Sequence, residues 1–195
     1  MIKLIYTALG MAVLLTINAC SASGGTTPTP TPSAEIRPVQ LTESRTIYYS
    51  RYTDNGLSTS YEHGITFSSN KNGKITQLGG KVPASGNYRM TVWDDSSKAI
   101  LASTNVALDS LSYKYTAITP VDIIANKKYV VSINVLKAAF YLKDNLNYEF
   151  MPMYESGITI HYYNDAKTSA QTFPNRTPNT YKIYGLPDFV FIANQ

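Results

Sequence analysis

Residues 129–135 read Tyr129-Val130-Val131-Ser132-Ile133-Asn134-Val135. Tyr129, Val131, Ile133 and Val135 alternate with Val130, Ser132 and Asn134, a period of two with one mostly apolar face, which marks a β-strand. Further along, Ile158, Ile160 and Tyr162 alternate with Thr159, His161 and Tyr163. This predicts a second strand with His161 and Tyr163 on its more polar side. Phe189-Val190-Phe191-Ile192 is apolar at every position, as expected of a strand covered on both faces. Asp54-Asn55-Gly56, Lys71-Asn72-Gly73, Ser85-Gly86-Asn87 and Glu155-Ser156-Gly157 place Gly or Asn where a turn needs positive φ. No long segment beyond residue 20 repeats its apolar residues every 3.6 positions. Short strands separated by such turns predict an all-β domain, an antiparallel β-sandwich.

The chain has 195 residues, of which 44% are apolar and 15% charged, a mix that excludes a disordered protein and suits one sizeable core. Seventeen Lys and Arg against 13 Asp and Glu give a formal charge of +4, but no basic run occurs, so nucleic acid is not an expected partner. One cysteine and two histidines provide neither a disulfide nor a usual zinc set.

The N-terminus reports destination. Lys3 is followed by an apolar run to Ala19 that is too short to span a bilayer, the pattern of a secretory signal peptide over residues 1–19, exported through the Sec pathway. Ile17-Asn18-Ala19-Cys20 resembles the bacterial lipobox. The resemblance implies that Cys20 becomes the N-terminus and carries a diacylglycerol on its thiol and an N-acyl chain such as palmitate on its amino group. Two or three chains anchor stably where one does not. Ser21 in place of Asp favours the outer membrane over retention at the inner one. Residues 20–34, rich in Ser, Gly, Thr and Pro, form a tether, part flexible coil and part polyproline II, ahead of a domain expected over residues 35–195.

From about Tyr61 to Ile192, two thirds of the chain, the sequence resembles the bacterial family known as domain of unknown function 4082. In order, the matching pieces are Gly64-Ile65-Thr66-Phe67, Gly73-Lys74-Ile75-Thr76, Tyr88-Arg89-Met90-Thr91-Val92-Trp93, Leu101-Ala102, Pro120-Val121-Asp122-Ile123, Tyr129-Val130-Val131-Ser132, Phe173-Pro174, Asn179-Thr180-Tyr181 and Asp188-Phe189-Val190-Phe191. It departs from the family at Lys182–Pro187 and at Tyr113, where Trp is frequent. The resemblance implies an immunoglobulin-like or jelly-roll sandwich, a setting among secreted carbohydrate-active or cell-surface proteins, and no catalytic role.

Catalytic motifs are missing from the sequence: there is no Gly-x-Ser-x-Gly, no His-Glu-x-x-His and no phosphate loop. Glu62 and His63 are neighbours on a strand and point to opposite faces, so they do not form one site. Asp94 and Asp95 open a turn into Ser96-Ser97, and Asp188 stands in the terminal block. These three are the only weak metal candidates, for Ca²⁺, which needs further oxygen ligands; turn-forming and loop-pinning are their plainer roles. No cofactor is expected.

What stands out is 16 Tyr, 6 Phe and one Trp. Aromatic faces stack on sugar rings, and Tyr adds a hydroxyl at little entropic cost. Trp93 shares the less apolar face of its strand with Arg89 and Thr91, while Tyr154, His161, Tyr162, Tyr163, Tyr181 and Tyr184 lie among Asn, Thr and Gly. These seven residues are the expected ligand contacts, against the alternative that Tyr serves only as a β-prone packing residue. Together the features predict a non-enzymatic, lipid-anchored envelope protein, periplasmic or surface-facing. It would bind polysaccharide or another envelope component, or alternatively act as a structural or assembly lipoprotein that binds a protein partner. Asp109-Ser110-Leu111 resembles an O-glycosylation acceptor of exported Bacteroidetes proteins, and Asn175-Arg176-Thr177 is an N-glycosylation sequon.

Overall fold

The computed structural model describes residues 33–42, 48–53, 59–110, 112–135, 139–144, 149–176 and 178–195. The signal segment, Cys20, the tether through residue 32, the Asp54-Asn55-Gly56 turn, Leu111 and Thr177 lie outside the described residues. The elements in chain order are β1 (Glu35–Ile36), α1 (Pro38–Leu41), β2 (Tyr48–Thr53), β3 (Tyr61–Ser69), β4 (Gly73–Gly80), β5 (Gly86–Asp94), β6 (Ile100–Leu108), β7 (Lys114–Ile123), β8 (Tyr129–Val135), β9 (Ala139–Asp144), β10 (Met153–Glu155), β11 (Ile158–Lys167), β12 (Lys182–Tyr184) and β13 (Pro187–Ala193). No helix of the described residues is long and apolar enough to cross a membrane.

Two antiparallel sheets pack face to face as a β-sandwich: β10-β11-β3-β8-β5-β6 and β1-β13-β4-β7. A smaller sheet, β12-β9-β2, is also antiparallel. The chain changes sheet between β3 and β4, β4 and β5, β6 and β7, and β7 and β8, so most pairings join strands distant in sequence. The core fills the space between the main sheets. Ile65 and Phe67 of β3, Met90 and Val92 of β5 and Val131 and Ile133 of β8 are all fully buried, as are Ile75 and Leu78 of β4 and Phe189 of β13. The Phe67 and Phe189 rings meet across the layer at 4.3 Å between centroids. On the opposite side of β13, Val190 and Asp188 are buried as well, so this strand is covered on both faces.

Local chemistry fixes two connections. The β10–β11 hairpin turns on Ser156 (φ 50°) and Gly157 (φ 89°), two successive positive-φ residues as a type I′ turn requires. At α1, Pro38 occupies the first turn, and the preceding Arg37 supplies no side-chain cap. Asp188 does so from 148 residues away, its carboxylate accepting the N–H groups of Val39 at 3.0 Å and Gln40 at 2.9 Å. Two turn expectations are corrected. Gly73 is the first residue of β4, paired with Ile123 and Ala193, and none of residues 71–73 has positive φ. Gly86 and Asn87 already belong to β5 and pair with Leu108 and Ala107, so the reversal lies before them.

A further correction bears on the site. The alternation of β11 does not run unbroken: Ile160 pairs with Phe67 and Tyr162 with Thr66, leaving His161 as an extra residue in a β-bulge. The bulge switches the parity of everything after it. Ile158 and Ile160 face the core, and so does Tyr163, while Tyr162 takes the outer side.

Candidate functional site

The outer face of the six-stranded sheet carries polar side chains contributed by every second residue of its central strands. Glu62, Thr66 and Ser68 come from β3, Ser132 and Asn134 from β8, and Arg89, Thr91 and Trp93 from β5. Most of this face is not open to solvent. After β11 the chain runs back across it as an irregular strap, residues 168–174, fastened by side chains of the sheet. Asn134 donates to the Thr168 carbonyl at 3.1 Å, Arg89 donates to the Ser169 carbonyl at 3.3 Å, and the Gln171 amide donates to Thr91 and Ser103 hydroxyls at 3.0 and 2.9 Å. Phe173 lies edge-on to Trp93 at 5.8 Å, and Pro174 is buried above Gly64.

Under the strap, Glu62 is fully buried. It accepts hydrogen bonds from Ser132 at 2.6 Å, Arg89 at 2.9 Å and Asn134 at 3.1 Å, which satisfy a charge that would otherwise be very costly to bury. Burial still outweighs these donors and pushes its carboxyl above the usual range. Trp93, expected as a ligand contact, belongs to this cluster. It is 3% exposed and donates its indole N–H to Ser132 Oγ at 2.8 Å, so it packs and does not present a surface.

Tyr163 is corrected in the same way. The bulge turns it into the core, where it is 3% exposed, hydrogen-bonded to His63 Nδ1 and donating to Asp165 Oδ2 at 3.2 Å. Tyr184 is half-buried against it, 5.1 Å from its ring and stacked on His63 at 5.8 Å. His63 is held neutral by burial, its pKa lowered to about 3. Tyr181 is 37% exposed, two residues beyond the bridge that Asn179 makes with Tyr163.

The strap stops short of one end of the outer face, and there the remaining candidates meet. Tyr154 of β10 pairs with Thr159, and Thr159 with Ser68. The next position across the sheet is Lys128, whose carbonyl accepts the Asp95 N–H at 3.3 Å. Tyr154 is 67% exposed, the most open large hydrophobic of the described residues. His161, brought onto this face by the bulge, holds Nε2 at 2.9 Å from Ser68 Oγ and is half-buried. Partial burial first, and the Lys128 ammonium second, keep its pKa below the ordinary imidazole value. Lys128 Nζ lies 5.6 Å from the centre of the half-buried Tyr162 ring. A groove of about 420 Å³ continues from this row along the hairpin, lined by Asn70, Tyr154, Glu155, Ser156, Gly157, Ile158 and Thr159. The arrangement is an aromatic and polar surface with one cation over a ring and an open groove beside it.

The three acids have protein partners. Asp94 caps its own turn, accepting the N–H groups of Ser96 at 2.9 Å and Ser97 at 3.0 Å. Its pairing with Lys127 and these bonds lower its pKa to about 2. Asp95 pairs with Lys98 at 3.4 Å. Asp188 is buried beneath α1. Among the described residues no three His, Cys, Asp or Glu side chains converge as metal ligands would. Asp109 of the glycosylation-like tripeptide pairs with Lys114 at 2.6 Å, and Ser110 beside it is exposed. In the sequon Asn175 is exposed, and Arg176 pairs with Asp165 at 3.3 Å.

Comparison with known proteins adds no functional assignment. No protein-family model matches the chain, and no curated protein matches it.

Proposed function

We propose that the protein is a non-catalytic binding module of the bacterial cell envelope, of the kind the domain of unknown function 4082 resemblance implies. It is anchored to the outer membrane by acyl chains on Cys20 and holds a carbohydrate on the surface formed by Tyr154, His161 and Tyr162. The observation that supports this reading is the uncovered end of an otherwise strapped sheet face. Polar and aromatic groups there are half-exposed beside a groove, whereas the other aromatic candidates of that sheet, Trp93 and Tyr163, are consumed by packing. Rings that present one face while fixed by neighbours stack on sugars at little entropic cost. The test is a glycan array probed with the full-length chain, expressed in a bacterial host and purified in mild detergent, beside its Tyr154→Ala/Tyr162→Ala variant. A signal lost in the variant with an unchanged melting temperature supports the reading, and silence of the native protein across the array overturns it.

A second reading, a structural lipoprotein docking a protein partner, draws on the edge strand β6. Its exposed Ile100 and Leu101 lie where strand addition would occur. Cross-linking in the native envelope that captures one stoichiometric protein, lost on Ile100→Lys, would favour it.

A further inference from the structure

The charges around the uncovered face do not cancel. Lys127 is matched by Asp94 and Lys98 by Asp95. Lys128 is exposed and has no carboxylate partner among the described residues. Its ammonium lies 5.6 Å from the centre of the Tyr162 ring, beside His161, whose pKa is lowered by partial burial first and by that cation second, against the opposing charge of Asp95. The acid near His161 is Asp95, whose N–H donates to the Lys128 carbonyl and whose carboxylate is engaged by Lys98. Glu155 of the groove follows Tyr154 on β10, pairs with the core-facing Ile158 and so points to the other side of the sheet. The surface therefore has one cation left over, Lys128, beside its tyrosine rings. A neutral sugar stacked on the rings would make no use of Lys128. A sugar bearing a negative group would place its ring on tyrosine and its charge on the ammonium. The groove, about 420 Å³, is within the range that admits a small ligand unit.

We propose that the saccharide taken by this face is anionic, a carboxylate-bearing polymer of the uronate class, with Tyr154 and Tyr162 supporting sugar rings and Lys128 receiving the carboxylate. The proposal rests on the carbohydrate reading above and narrows it to a chemical class. Ser68 fixes the His161 imidazole, its hydroxyl 2.9 Å from Nε2, on the same outer side of the sheet as Tyr162.

The test uses the full-length chain in detergent and measures binding of polygalacturonate and of neutral dextran of similar length, for the native protein, Lys128→Gln and Tyr162→Ala. The expected result is binding of polygalacturonate over dextran, weakened about tenfold by Lys128→Gln and by added salt, and lost with Tyr162→Ala. Equal binding of dextran and polygalacturonate, unaffected by Lys128→Gln, would overturn the anionic class while leaving the carbohydrate reading in place. Polygalacturonate binding that salt abolishes but Tyr162→Ala leaves intact would be charge attraction to a basic chain, and would overturn the site. Binding to neither polymer nor to any arrayed glycan would overturn both readings together.

Discussion

Trp93 donates its indole N–H to the Ser132 hydroxyl at 2.8 Å, and Ser132 in turn donates to the buried Glu62 at 2.6 Å. Trp93 thus joins the aromatic contact beneath the strap to the polar cluster in the middle of the sheet. Trp93→Phe keeps a ring against Phe173 but strips Ser132 of its donor, with an expected loss of about 1 kcal/mol. Trp93→Ala also opens a cavity, with an expected loss of about 3–5 kcal/mol. Urea unfolding followed by circular dichroism separates the two, since the fluorescence of the only tryptophan is removed in both variants.

Glu62 carries the larger stake. Replacing it by Ala leaves the Ser132 hydroxyl without its acceptor, takes one of the acceptors of the Asn134 amide and leaves the Arg89 guanidinium, only partly exposed, without its carboxylate. Breaking a buried pair from one side costs about 3–5 kcal/mol. The double variant Glu62→Ala/Arg89→Met is expected to recover part of that loss. Additive losses in a double-mutant cycle would show that the pair is not coupled.

The strap is tested by changes on either side of it. A Cβ on Gly64 would stand 2.6 Å from Pro174 Cγ and 3.0 Å from Val130 Cγ1, so Gly64→Ala must push the strap outward, at an expected cost of about 1–3 kcal/mol. Gln171→Ala removes two hydrogen bonds from an exposed residue and is expected to cost about 1 kcal/mol or less. In both variants acrylamide should quench Trp93 more strongly than in the native protein. Unchanged quenching would mean that Phe173 and Pro174 alone hold the cover in place.

The strands were legible in the sequence because apolar and polar residues alternate along them, as from Tyr129 to Val135, even though both faces of that strand are buried. The uncovered site was legible only in part. Tyr154, His161 and Tyr162 are where a polar rim was expected, but one inserted residue, His161, reverses the faces of Tyr162 and Tyr163, and period-two reading has no way to register a bulge. Trp93 escaped for a different reason. Its face is polar, with Arg89, Thr91 and Ser132, and polar alternation reads as solvent exposure. Here a later, aperiodic segment covers that face, meets the Arg89 and Asn134 donors with backbone carbonyls and donates to Thr91 through Gln171, a long-range event that leaves no local pattern. The weight of Glu62 was hidden by the same cover.

Asp188 gives the pH prediction. Its fully buried carboxyl accepts N–H groups from Val39, Gln40 and Phe189 and the Tyr115 hydroxyl at 2.7 Å, so its hydrogen bonds hold α1 against β13. Burial prevails over these donors and raises its pKa from 3.8 to about 6. The native state therefore holds this proton more tightly than the unfolded chain does. The contribution is fully present below the unfolded pKa and is lost as pH rises through about 6, a change of roughly 3 kcal/mol across that window. Asp188→Asn has no charge to bury, so it lacks this component of the pH dependence and keeps that of the other groups. Subtracting its unfolding free energies from those of the native protein, pH by pH, isolates the Asp188 slope from the other carboxylates. A difference that does not change between pH 4 and 7 would mean that the four donors hold the ionised form as well as water does.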